Sequence, residues 1–197
     1  MKGWQIVLIV LAVAVAAVVG FGVVGAIFGG DSNDSGVAYT KGAVADGWYV
    51  NEWANLKFEI TEEWPQGTAE QYAAYENETT DCGFLAQDDA TNNQLCIGFE
   101  KLESVAGLLS EEDYLDRFEE MLSTTYDDAG IEYEMGDTYN TTIAGETYLS
   151  LSVSLGGDMV HQTCCVRKMD GYIIFITVTS GDTATNSAAL SSIQAVK

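Results

Sequence analysis

Residues 6–28 form an unbroken apolar run that contains no charged side chain. At about 1.5 Å of rise per helical residue the run reaches roughly 34 Å, enough to cross a hydrocarbon core of about 30 Å. The rest of the chain is soluble in character, so the expectation is a globular domain held on a membrane stalk. Lys2 and the amino terminus precede the run, while Asp31 and Asp34 follow it. Positive flanks stay on the cytoplasmic side, which predicts a single-pass anchor in the cytoplasmic membrane with its N-terminus inside and the domain outside. The alternative is a cleaved signal peptide with a small-residue site after Ala26 or Gly29, although such peptides usually have an apolar core of about 7–15 residues. The expected organisation is an anchor over 1–29, a flexible linker over 30–46 rich in Gly, Ser and Asp, and an extracytoplasmic domain over 47–197.

Charge limits the partners of that domain. After the apolar run there are 30 acidic residues and seven of the eight basic ones, a formal charge of −23. Nucleic acid and anionic lipid surfaces are poor partners for such a field. A solubilising surface explains the acids most simply. The four cysteines are Cys82, Cys96, Cys164 and Cys165. With no Cys-x-x-Cys and a single histidine, His161, they do not read as a zinc site. Outside the membrane a disulfide is permitted.

The domain reads as mixed α and β. Residues 48–51 and 56–60 are expected strands, and Leu56, Phe58 and Ile60 alternate with polar residues. Residues 68–75 read as a short helix with Thr68 and Gln71 at capping-box spacing. Residues 82–86 and 94–101 flank a polar loop over 87–93, a hairpin whose midpoint at Asp89 places Cys82 and Cys96 across from each other. That pair is the disulfide candidate. Closing its loop of about 15 residues would contribute on the order of 3 kcal/mol. Ser110 caps the clearest helix, with Asp113 at its third position and Leu115, Phe118, Leu122 and Tyr126 on one apolar face. Residues 147–155 alternate, with Leu149, Leu151, Val153 and Leu155 inward and Ser150, Ser152 and Ser154 outward. Gly156-Gly157-Asp158 turns the chain, residues 159–169 return it, and Asp170-Gly171 marks a hairpin turn. Residues 172–179 are apolar at almost every position, the mark of a central strand covered on both faces. A last helix is expected to carry Leu190, Ile193 and Val196 on one side.

The order beginning Trp48-Tyr49-Val50-Asn51, then Leu56-Lys57-Phe58-Glu59-Ile60 and Glu63-Trp64-Pro65, resembles the PsbP-like superfamily, in a bacterial membrane-anchored or secreted form. Members open with an aromatic-Asn strand, a short apolar strand and a Trp near a Pro. The short helix, hairpin, long helix, meander and closing helix follow here in the family's order over 48–197. Here Trp64 precedes Pro65 and Gly67 follows, which alters the family's Pro-x-Gly-Trp order in the first turn. The resemblance implies an α+β fold, an α/β/α sandwich around a mostly antiparallel sheet. It also implies an accessory, assembly or binding role without a shared catalytic constellation, and it carries over no functional residues.

Chemistry of other kinds is weighed on the residues. On a strand, His161, Thr163 and Cys165 share one face while Cys164 takes the other. His161 and Cys165 then stand about 13 Å apart, too far for a Cys–His catalytic pair. Paired acids occur at Glu62-Glu63, Asp88-Asp89, Glu111-Glu112, Glu119-Glu120 and Asp127-Asp128, and residues 88–93 lack the spacing of an EF-hand. No cofactor or metal ligand set is read. The leading expectation is a membrane-tethered extracytoplasmic binding or assembly module without catalysis of its own, working with a membrane or cell-envelope complex. Trp53, Tyr72, Tyr75 and Tyr139 are its candidate contact aromatics. The alternatives are a hydrolase using a carboxylate pair or a Cys–His pair, and a redox-responsive envelope protein with an exposed, low-pKa thiol.

Overall fold

The computed structural model describes residues 38–102 and 109–197; the expected anchor lies outside them. No helix of the described residues is long and apolar enough to cross a membrane. In chain order the elements are β1 (Ala43–Ala45), β2 (Trp48–Asn51), β3 (Leu56–Glu59), α1 (Ala69–Ala74), β4 (Thr80–Asp88), β5 (Asn93–Lys101), α2 (Glu111–Ala129), β6 (Tyr133–Met135), β7 (Tyr139–Ile143), β8 (Glu146–Leu155), β9 (Val160–Met169), β10 (Tyr172–Ser180) and α3 (Thr183–Ser192).

The apolar strand β10 lies where its composition requires, between β5 and β9 in a seven-stranded sheet of order β4-β5-β10-β9-β8-β6. Strand β7 shares the outer edge of β8 with β6. Every pairing among the described residues is antiparallel. Alternate residues of a strand face opposite ways, so the sheet builds two half-cores. Leu115, Phe118, Leu122 and Tyr126 of α2 pack with Leu151, Val153, Leu155 and Phe175 on one side. Tyr49, Leu56 and Phe58 pack with Phe84, Ile97, Ile174 and Ile176 on the other, with Ala189 and Leu190 of α3 beside them.

Both predicted caps are present. Thr68 and Gln71 form a reciprocal capping box, and so do Ser110 and Asp113. Each satisfies backbone N–H groups that a helix start leaves without partners. Gly130 ends α2 in the left-handed conformation.

Several expectations need correction. The layer opposite α2 is not a purely helical one: the three-stranded sheet β1-β2-β3 covers it together with α3. Tyr39 and β1 lie within the stretch expected as linker, yet β1 pairs with β2 and Tyr39 packs against the second half-core. The hairpin β4–β5 runs closer to its turn than the polar sequence suggests, pairing as far as Asp88 and Asn93. Ser150 was expected outward but is fully buried, because the face opposite α2 is also covered. Its hydroxyl donates to Thr141 Oγ1 at 2.9 Å. Finally, α3 stops at Ser192, so Ile193 and Val196 are not helical. The chain instead bridges from Gln194 to Lys57 beside β3.

Gly98 fixes one detail of the first half-core. It lies opposite Phe175, and a Cβ there would stand 2.0 Å from the phenyl ring. Overpacking of this kind costs about 1–3 kcal/mol. Gly98→Ala is therefore expected to lower unfolding stability by that amount, read from the denaturation midpoint at unchanged slope.

Candidate functional site

The side chains with chemical potential divide between the two faces of the sheet. Cys82, Cys96 and Cys164 lie in the half-core under α2, and Cys165 lies in the other. A β-bulge between Cys82 and Phe84 creates this arrangement. Without the extra residue, Cys82 and Phe84 would point the same way; with it, Cys82 turns toward α2 and Phe84 toward β3. Gly83 stands at the bulge because the chain before β1 crosses there. A Cβ on it would meet the Tyr49 hydroxyl at 2.5 Å and the Lys41 carbonyl at 2.7 Å.

Cys82 and Cys96 do come together, but as thiols. Their sulfurs stand 4.0 Å apart, and all four cysteines are free and buried. The expected disulfide is therefore not formed. The neighbouring Cys82 thiol and then burial hold Cys96 well above the usual thiol range. Burial does the same for Cys164 and raises Cys165 to about 11. A redox sensor or a thiol nucleophile needs an accessible thiolate near neutral pH, and the burial of all four thiols opposes one. The exposed thiol that the redox-responsive reading requires is therefore not found among the four cysteines.

On the opposite face, His161 meets the Ser154 hydroxyl. Ser154 Oγ and His161 Nδ1 are 3.2 Å apart. A serine beside an imidazole is half of an acyl-transfer arrangement, which also needs a group orienting the base. The nearby acid, Asp182, is committed elsewhere: its carboxylate accepts from Thr185 N and Thr185 Oγ1, each at 2.8 Å, and caps α3. The Ser154–His161 contact was not foreseen. Its signal was the turn at Gly156-Gly157-Asp158, which brings 154 and 161 into register.

One carboxylate is buried. Glu100 is only 6% exposed, and Tyr114 Oη donates to its Oε2 at 2.7 Å. Burial raises the Glu100 pKa and the tyrosine bond partly offsets that. The paired acids are surface features. Asp116, Glu119, Glu120 and Asp127 border a shallow depression on the outer face of α2. Asp88 serves its own turn, accepting from Thr91 Oγ1 at 2.7 Å and Ala90 N at 2.9 Å. No group of three or more His, Cys, Asp or Glu side chains able to hold a metal ion occurs among the described residues.

The four candidate contact aromatics do not form a patch. Trp53 is buried, with its ring edge-on to Tyr39 and Phe99. Tyr75 is buried under α2. Tyr72 is half-buried, its hydroxyl accepting from Leu85 N at 3.0 Å. Only Tyr139, on β7, is open to solvent, at 43%. An aromatic group that sequence reading missed seats the entering chain instead. Tyr39 stacks on Tyr172 at 4.2 Å, and its hydroxyl donates to Asp81 Oδ2 at 2.6 Å.

Two outcomes follow. Alkylation by iodoacetamide at pH 8 is expected to spare all four thiols in the folded protein and to add four labels after denaturation, counted by intact mass. Glu100 also sets a pH dependence. Its folded pKa lies above its unfolded one, so the folded state holds the extra proton between the two. Stability is therefore expected to fall as pH rises from the ordinary glutamate range through the raised one, and Glu100→Gln should remove that slope in denaturation curves.

No family model and no curated protein sequence matches the chain. Solved structures do. It is similar to cyanobacterial PsbP (CyanoP) from Synechocystis, with 14% identity and a TM-score of 0.51 over 78% of this chain and 96% of that one. A protein from Bacteroides thetaiotaomicron aligns at 11% identity and a TM-score of 0.42, over 77% of this chain and 48% of that one. LpqN, involved in cell envelope biogenesis of Mycobacterium tuberculosis, aligns at 12% and 0.39, over 71% and 82%. At such identities the likeness is one of fold, and the domain has a PsbP-like α+β fold, with antiparallel sheets and three helices among the described residues.

Proposed function

We propose that this chain is a membrane-tethered extracytoplasmic module that binds or helps assemble a cell-envelope complex and performs no chemistry of its own. The observation that carries the reading is the fold likeness to CyanoP along nearly all of that chain. The apolar run over 6–28 supplies the tether and its charge flanks supply the orientation. The interior is consistent with a binding role. Burial favours the neutral form of Cys96, Cys164 and Cys165, and Asp182 is occupied as a helix cap rather than orienting His161. What remains for a partner is the outer surface, where acids greatly outnumber cations.

Topology and chemistry are tested separately. The full-length protein is expected to resist extraction from membranes by alkaline carbonate, and a variant lacking residues 1–29 to be released. Protease added outside intact cells or spheroplasts should degrade the domain. Protection from that protease would place the domain on the cytoplasmic side and overturn the proposal. Light crosslinking before extraction in mild detergent should then yield a reproducible complex, whereas a clean monomer would count against the assembly role.

A further inference from the structure

The two edges of the seven-stranded sheet are treated differently. At the β4 edge, Gly67 N donates to Leu85 O at 2.8 Å and Gln87 N to Pro65 O at 3.0 Å, so the chain around Pro65 covers that side. On the far side β6 is three residues long and carries Glu134. Strand β7 beside it is Tyr-Asn-Thr-Thr-Ile, without a charge, a proline or a glycine. Among the described residues its only strand partner is β8. Soluble proteins usually guard such an edge with charge, proline or a covering loop, because an open one pairs with other chains.

Which groups are on offer follows from the turn. Ala144 and Gly145 both have positive φ and join Ile143 directly to Glu146, a two-residue hairpin of the primed type. Its closing pair exchanges hydrogen bonds, and bonded and non-bonded pairs then alternate. Ile143, Thr141 and Tyr139 therefore bond inward to β8. Asn140 and Thr142 point their N–H and C=O groups outward, and both side chains are exposed. Beside them stands Tyr139, its hydroxyl 2.9 Å from Ser152 Oγ. Glu134 and Asp137, both exposed, border the strand, as does Glu146, which is exposed and already paired with Arg167 at 3.4 Å.

The geometry points to β7 as a strand-addition site that takes an extended, lysine-rich segment of a partner protein. This rests on the binding role proposed above and gives it a place. Backbone pairing supplies affinity in such a mode, and alternate side chains supply selectivity. Glu134 and Asp137 beside β7 and the chain's formal charge of −22 favour a basic segment. They disfavour a second copy, which would bring the same acids to the same edge.

The test uses the full-length protein in detergent micelles and the synthetic peptide acetyl-Lys-Val-Lys-Thr-Lys-Val-Lys-amide, with a glutamate-for-lysine version as its counterpart. Hydrogen exchange should slow at Asn140 and Thr142 when the basic peptide is added, and fluorescence anisotropy should show the acidic version weaker by about tenfold or more. Thr142→Pro removes an outward N–H, which an edge strand tolerates, and is expected to weaken binding by a similar factor. Asn140→Lys is a second variant that keeps the backbone intact and repels the peptide. Unchanged binding in both variants, protection confined to the α2 face, or no binding would overturn the site. A concentration-dependent dimer lost in Thr142→Pro would overturn it too, by showing a second copy as the occupant. Because the membrane topology is read independently, failure here is distinguishable from failure of the tethered-module reading.

Discussion

Burial of β10 on both faces is the constraint from which the rest of the domain follows. Ile173 and Phe175 face α2, while Ile174, Ile176 and Val178 face β2, β3 and α3. A strand of this kind has no solvated side, so it must sit mid-sheet and both of its faces must be covered. The long helix provides one cover. The other is assembled from parts distant in sequence, the N-terminal three-stranded sheet and the C-terminal helix, and the backbone bridge between Lys57 and Gln194 ties those parts together.

Much of this architecture was legible because it rests on side chains whose pattern is strong. Residues 172–179 read as a central strand, and Ser110, Asp113 and the apolar stripe through Tyr126 as a capped amphipathic helix, and both form. What escaped the sequence has physical reasons. Strands β6 and β7 carry too little pattern to read: β6 holds a single alternation, Tyr133 and Met135 around Glu134, and β7 buries only Ile143. The bulge at Gly83 depends on the chain crossing above it, a contact from more than forty positions away in the case of Tyr39 and Asp81. Ser150 looks like a surface residue because alternation alone does not reveal a second cover. Two of the candidate contact aromatics lie inside, because large rings fill both half-cores: Trp53 opposite α2 and Tyr75 beneath it.

The candidate site was less legible than the fold. Local spacing correctly separated His161 and Cys165 from Cys164, but no spacing could show that Cys82 and Cys96 would meet as buried thiols rather than as a crosslink. The molecule has a strongly charged exterior and an interior that suppresses charge. Glu100, Cys96, Cys164 and Cys165 are pushed toward their neutral forms, while Asp88, Asp113 and Asp182 are favoured as anions by hydrogen bonds at turns and helix starts. The same residue type thus serves as structural capping or as a buried liability, according to the backbone N–H groups within its reach.

The seating of Tyr39 has a mechanical consequence. Any tension arriving along the chain from the N-terminal side meets this residue before β1. Its ring is held against Tyr172, Trp53 and Phe99 and its hydroxyl by Asp81, so the load passes into β10 and the β4–β5 hairpin rather than peeling the three-residue β1 from β2. A domain tugged from that end would be pulled by its best-buried strands.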